Sequence, residues 1–278
     1  MQDKAFNSLN SALTAHEAHV IVNKSNNVAT MTLNRPAQRN ALSRDMIAAL
    51  THEISNVSLD KSVHAVVLAA NGPSFCAGHD LKEITARRRD ADNGRAFFAE
   101  TMQACASMMQ AIVRSPKPFI AAVQGIATAA GCQLVATCDL AIASNEAKFA
   151  TPGVNIGLFC STPMIALSRN VSRKQAMEML LLGDMLAADD AKTYGLINKV
   201  VAVQDVMVTA MEMARKIADK SPLTVAIGKE AFYRQLELPL AEAYDYAADV
   251  MVQNMLARDA EEGIGAFLEK RQPVWSSE

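Results

Sequence analysis

The chain has 278 residues, half of them hydrophobic, and a formal net charge of -2. That length and apolar content allow a large core, in one big domain or in one domain with a helical appendage. The near-neutral balance, with no basic block beyond Arg87 to Arg89, excludes nucleic acid and an anionic membrane as expected partners.

Residues 1–18 read as a lead-in. The segment MQDKAFNSLNSALTAHEAH lacks Arg and a continuous apolar run, so neither a secretion signal nor a transit peptide is expected. His16 and His19 fall short of the zinc motif HExxH and read as solvated; no metal site is expected. Cys76, Cys105, Cys132, Cys138 and Cys160 show no CxxC spacing and sit among apolar neighbours. They read as reduced, buried thiols of a protein expected to be cytoplasmic.

His19 to Asn23 and Val28 to Leu33 are β-like runs around Ser25, Asn26 and Asn27, which is hairpin chemistry. The loop NRPAQRN, Asn34 to Asn40, leads through Ser43 as N-cap into a helix with Met46, Ile47, Leu50 and Ile54 on one face. Its two Arg either hold phosphate or are simply solvated. HAVVLA, His64 to Ala69, reads as a strand of a sheet covered on both faces. A turn at Asn71, Gly72 and Pro73 then precedes SFCAGHDLKE, whose Gly78 suits a backbone approaching a ligand.

Lys117 to Asp139, KPFIAAVQGIATAAGCQLVATCD, carries no charge between its ends. Phe119 to Val123 reads as a strand, Gln124 to Thr128 as a turn, and Ala129 onward as a helix packed through small residues. Gln124, Thr128, Gln133, Thr137 and two glycines argue for a buried strand and helix over a membrane span. A helix that starts in such a turn offers unpaired N–H groups and the positive end of its dipole to a developing oxyanion. Farther on, Arg173 to Leu182, Ala187 to Tyr194, Val206 to Lys220, Leu223 to Gln235, Leu240 to Leu256 and Asp259 to Lys270 read as helices, with Lys199 to Val203 a brief strand.

LNRPAQRNALS, SFCAGHDLKE, KPFIAAVQGIATAAGCQL and CDLAIASNEAKFATP occur in an order and at spacings that resemble the enoyl-CoA hydratase/isomerase (crotonase) superfamily, from about Val20 to the C-terminus. FATPGVNIGLFCSTP, Phe149 to Pro163, and FLEKRQPVW, Phe267 to Trp275, resemble one subgroup within it. The resemblance implies an α/β crotonase (ClpP-like) spiral of repeated β-β-α units over 19–203, then a helical oligomerisation region over 204–278 in a homotrimer or dimer of trimers. It implies a protein of fatty-acid or acyl-CoA metabolism that binds an acyl-CoA thioester, with coenzyme A as part of the substrate and no tightly bound cofactor. The backbone amides of His79, after Gly78, and of Ala130, before Gly131, would polarise the thioester carbonyl and stabilise its enolate. Arg39, Asn40, Ala41, Asp80, Leu81 and Lys82 would lie along the adenine and phosphates, although Lys82 reads equally well as a solvated helix residue.

Two positions depart from the family's hydratases: Gln133 and Gly153 stand where they carry catalytic glutamates. An amide and a bare backbone cannot shuttle protons, and each lost acid or base typically costs ~10²- to 10⁴-fold. Efficient hydration is therefore not expected of what otherwise reads as an enzyme of the lyase or isomerase class. Cys160 is either a nucleophile or a small hydrophobe, and the His79 side chain either an acid-base group or a space filler. Two alternatives stay open: a non-catalytic acyl-CoA binder or assembly subunit, and isomerase, thioesterase or decarboxylase chemistry run by other residues. If only the missing carboxylates block hydration, Gln133→Glu with Gly153→Glu should restore it, provided position 153 has room and does not require a positive φ.

Overall fold

The computed structural model describes residues 18–276, so the lead-in with His16 lies almost wholly outside the described residues. The chain opens on the expected hairpin, β1 (Val20–Ser25) and β2 (Val28–Leu33), paired antiparallel through Asn26 and Asn27, both at positive φ. Next come α1 (Arg44–Leu59), β3 (Ala65–Ala70), β4 (Ser74–Cys76), α2 (Leu81–Arg87) and α3 (Arg95–Arg114). The third unit is β5 (Phe119–Val123), β6 (Ile126–Thr128) and α4 (Ala130–Thr137); the fourth is β7 (Leu140–Ser144), β8 (Lys148–Ala150), α5 (Pro163–Leu167) and α6 (Arg173–Leu182). The chain continues through β9 (Leu186–Ala187), α7 (Ala188–Tyr194), β10 (Lys199–Val201), α8 (Val206–Ala218), α9 (Pro222–Gln235), α10 (Leu240–Met255) and α11 (Arg258–Glu269).

From β3 onward the two strands of each β-β-α unit part company. The first joins a six-stranded sheet of order β1-β2-β3-β5-β7-β10, parallel apart from the hairpin. The second joins a four-stranded sheet of order β4-β6-β8-β9. This is the repeated β-β-α architecture expected. Ile126–Thr128, read from sequence as the end of a turn, is instead a strand of that second sheet.

Both faces of the large sheet are buried. Along β3, Val66 and Leu68 face a core shared with Met46, Ile47 and Leu50 of α1 and Met108 of α3, while Ala65, Val67 and Ala69 face α8. Ala210, Ala214 and Ala218, four apart on α8, let that helix lie close on the sheet. The expected boundary at 203/204 thus falls just before a helix that belongs to the sheet's own packing, and α9 to α11 follow it.

α3 escaped the sequence reading. Its buried face is Thr101, Cys105, Met108, Met109 and Ile112, in helical register but made largely of residues that signal a core weakly.

Candidate active site

The Asn34 to Asn40 loop is held by a buried amide. The Asn40 side chain accepts from Arg35 N at 2.8 Å and donates to the carbonyls of Asn71 and Ser74, each at 2.9 Å. Both its amide hydrogens are used and it is fully buried, so it fixes the loop and leaves neighbouring residues to meet a ligand. Arg35 is tied down as well, donating to Ser43 Oγ at 2.8 Å and pairing with Asp80 at 3.7 Å. Arg39 sits exposed at φ 51, and Ala41 is buried behind it.

β4 and the start of α4 bring two main-chain donors together. Leu42 N donates to Gly78 O at 2.8 Å and Asp80 N to Leu42 O at 3.3 Å, a parallel bridge that turns the intervening His79 N–H away from Leu42. On the α4 side, Ala130 is the first helical residue, and the N–H groups of a first turn have no partner within their helix. Glycines bring the two segments into contact. A Cβ on Gly78, which sits at φ 90, would lie 2.9 Å from Ala129 Cβ and 3.4 Å from Ala130 N. A Cβ on Gly131 would overlap the Cys76 carbonyl. Ala129 between them adopts φ 50, ψ -120, a conformation natural to glycine that costs an alanine roughly 1–3 kcal/mol. That strained turn launches α4 toward Gly78, and Ala129 N anchors it to Ala150 O at 2.9 Å.

One helical turn on, Gln133 N donates to Ala129 O at 3.0 Å, and the buried Gln133 Oε1 has no hydrogen-bond partner. Gly153 lies in a short 3₁₀ turn, Pro152–Ile156, without a positive φ. Room is what it lacks: a Cβ there would lie 2.5 Å from Leu158 O and 2.9 Å from Cys160 Sγ. The Leu158 to Cys160 segment closes over the glycine, and Leu158 N donates to Gly153 O at 2.9 Å. Burial pushes the Cys160 thiol above its ordinary range, the opposite of an activated nucleophile. Burial also lowers the His79 pKa and so favours a neutral imidazole, whose Nε2 is buried without a partner.

Asp80 caps α2, its carboxylate accepting from Lys82 N at 3.1 Å and Glu83 N at 3.3 Å. Leu81 and Lys82 line an open cleft of about 500 Å³ with Thr85, Ala86 and Arg89. Arg89, read from the sequence only as part of the Arg87 to Arg89 block, was not expected among the site residues. The signal was its spacing from Lys82, seven residues along one helical face and its extension. A buried cluster, also unforeseen, closes the far end of β5. Lys229 Nζ meets Asp139 Oδ2 at 2.7 Å and the carbonyls of Ile112 and Lys117 at 2.9 Å, while Tyr233 donates to Asp139 Oδ1. Every ammonium hydrogen is satisfied there, which marks it as structural. Among the described residues no group of three or more His, Cys, Asp or Glu is placed to hold a metal ion.

Comparisons with known proteins bear on the fold and the family. The enoyl-CoA hydratase/isomerase family matches residues 23–278. A rat relative, "Enoyl-CoA hydratase domain-containing protein 3, mitochondrial", is 46% identical over 249 residues, covering 90% of this chain and 81% of its own length. The crystal structure of human enoyl-CoA hydratase domain-containing protein 3 superposes with a TM-score of 0.88 at 44% identity, covering 92% of this chain and 100% of its own. That of an enoyl-CoA hydratase from Mycobacterium smegmatis gives 0.88 at 50% identity, covering 92% and 98%. The subgroup marked by FATPGVNIGLFCSTP and FLEKRQPVW is borne out. The cytoplasmic expectation is overturned, because the rat relative is named mitochondrial. Reduced, buried thiols suit either compartment, so cysteine usage could not tell them apart.

Proposed function

This chain belongs to the enoyl-CoA hydratase/isomerase family, and from that premise we propose that it binds an acyl-CoA thioester and stabilises its enolate without the two-glutamate hydratase machinery. The thioester oxygen accepts from the His79 and Ala130 amides. Transfer of a proton from the α-carbon to solvent water, the base that remains without the two carboxylates, then places negative charge on that oxygen, where fixed donors count most. The observation that carries this reading is the close approach of Gly78, the residue before His79, to Ala129 Cβ and Ala130 N at the start of α4. Because the donors are backbone groups, alanine at 130 serves as well as glycine. Arg39 and Lys82, both exposed, and Arg89 beside the cleft supply positive charge for the phosphates of coenzyme A.

Gln133 and Gly153 offer no carboxylate, so hydration runs far below the rate of a two-glutamate enzyme, and slow enolate chemistry is the activity to seek. Self-association as a trimer or pair of trimers is supported by large apolar side chains left exposed on α9 to α11, among them Phe232, Leu240, Met251, Met255 and Phe267.

The test is exchange of the α-protons of butyryl-CoA in deuterated water, parent against Ala130→Pro. The substitution deletes the donor at a first helical position, where no intrahelical hydrogen bond is lost with it. Loss of one oxyanion donor should slow exchange by about 10²- to 10³-fold. Unchanged exchange in a folded variant would refute the assignment, and a parent that binds the ester with no exchange at all would favour a non-catalytic binder.

A further inference from the structure

The ladder between β4 and β6 ends at the pair Cys76 and Ala127. One residue farther on, where the strand pairing has stopped, a side chain takes over: the Thr128 hydroxyl donates to the Ala77 carbonyl at 3.2 Å. Thr128 is buried and is the last residue of β6, paired with Ala150 of β8 and followed by the strained Ala129 that launches α4. A single residue thus ties the segment that carries the Ala130 N–H to the one that carries the His79 N–H.

The carbonyl it holds stands next to a swivel. Gly78, at φ 90, is the one residue between Ala77 and His79, and a glycine by itself turns freely enough to swing the peptide that follows. Two hydrogen bonds oppose that rotation. The peptide before Gly78 is held by its carbonyl, on Thr128 Oγ1, and the peptide after it by its own carbonyl, which accepts from Leu42 N at 2.8 Å. In a planar trans peptide the N–H points opposite to the C=O, so holding the Gly78 carbonyl directs the His79 N–H. Gly78 also stays so near β6 that a Cβ on it would lie 3.1 Å from Thr128 O. We infer that Thr128 is a positioning residue: through the Ala77 carbonyl, its hydroxyl fixes the angle at which the His79 N–H meets the thioester oxygen. The inference rests on the donor reading above. A valine would fill the same space and leave the Ala77 carbonyl without this partner, so packing alone does not account for a hydroxyl there.

Thr128→Val keeps the shape and removes the hydroxyl, whereas Thr128→Ser keeps the hydroxyl. Two readouts on the full chain test the inference with butyryl-CoA. One is α-proton exchange in deuterated water at saturating ester; the other is the infrared stretch of the ester's isotope-labelled thioester carbonyl, which a donor lowers and which needs no turnover. Thr128→Val should slow exchange about tenfold, the worth of one hydrogen bond, while affinity by calorimetry barely moves. It should also return part of the lowered stretch toward the free value, and Thr128→Ser should recover both. Thr128→Ala takes its place should the valine variant fail to fold. Exchange and stretch that stay at the parent's values in a folded variant without the hydroxyl overturn the inference alone. So do a serine variant no better than the valine one and a loss confined to affinity or melting temperature. A parent that leaves the carbonyl stretch at its free value, or binds no ester, overturns the donor reading and the inference together.

Discussion

Replacing Gly153 by alanine, the smallest side chain there is, should destabilise the protein and leave hydration no better. The added Cβ would lie 2.5 Å from Leu158 O and 2.9 Å from Cys160 Sγ, nearer than carbon normally approaches either atom. The closer neighbour is backbone, itself in a segment bound back to Gly153 O by Leu158 N, so relief requires moving the loop. Overpacking of this kind costs roughly 1–3 kcal/mol. At about 2–4 °C per kcal/mol in a sizeable domain, the melting temperature should fall by several degrees. Cys160→Ala should not rescue it, because the nearer clash is with the Leu158 carbonyl. Gly153→Glu, alone or with Gln133→Glu, should fare worse and should not restore hydration of crotonyl-CoA, because the room on which the expected restoration depended is missing. Thermal melts and a hydration assay settle the matter. A Gly153→Glu, Gln133→Glu protein that melts with the parent and hydrates crotonyl-CoA would refute the reasoning.

Burial holds the His79 imidazole below its ordinary 6.5, so below pH 6.5 the unfolded chain takes up a proton that the folded chain resists. Stability should fall with pH there, by at most about 1.4 kcal/mol per pH unit from this group; urea titrations in which His79→Asn keeps the full slope would contradict it. Ala129→Gly should raise stability by about 1 kcal/mol through relief of its positive φ, despite the lost methyl; a lower denaturation midpoint would count against strain at that turn. Lys229→Met strands the Asp139 carboxylate and should cost about 3–5 kcal/mol, since the paired side chains are only 6% and 16% exposed. A loss under about 1 kcal/mol in chemical denaturation would show that water reaches the pair.

Elements with a strong period or a clear punctuation mark were legible. Asn26 and Asn27 announced the hairpin, Ser43 announced α1 by accepting from Met46 N, and β5 was read residue for residue. The helices after Arg173 carried alternating apolar and charged faces bounded by glycine and proline. The second sheet was not legible, because β4, β6 and β8 have three residues each, too few to display a period of two. At the candidate site, the resemblance pointed to Gly78 and Gly131, and the structure shows Gly78 against Ala129 and Gly131 against Cys76. The sequence could not reveal that the Leu158 to Cys160 segment closes over Gly153, nor that Asn40 uses both amide hydrogens on the loop itself. Those facts arise from contacts between residues distant in the chain, which local pattern does not encode.

The close approach of Gly131 to Cys76, and of Gly78 to Ala129, also sets a clock for the site. A donor at the end of a side chain samples rotamers within picoseconds to nanoseconds and must be caught in the right one. The His79 and Ala130 amides ride instead on a strand end and a helix start whose backbones touch, so their separation changes only when those elements part. That event belongs to local unfolding, microseconds or slower. In the proposed enolate chemistry the pair would stand still on the timescale of a proton leaving carbon, its orientation completed when the chain folded.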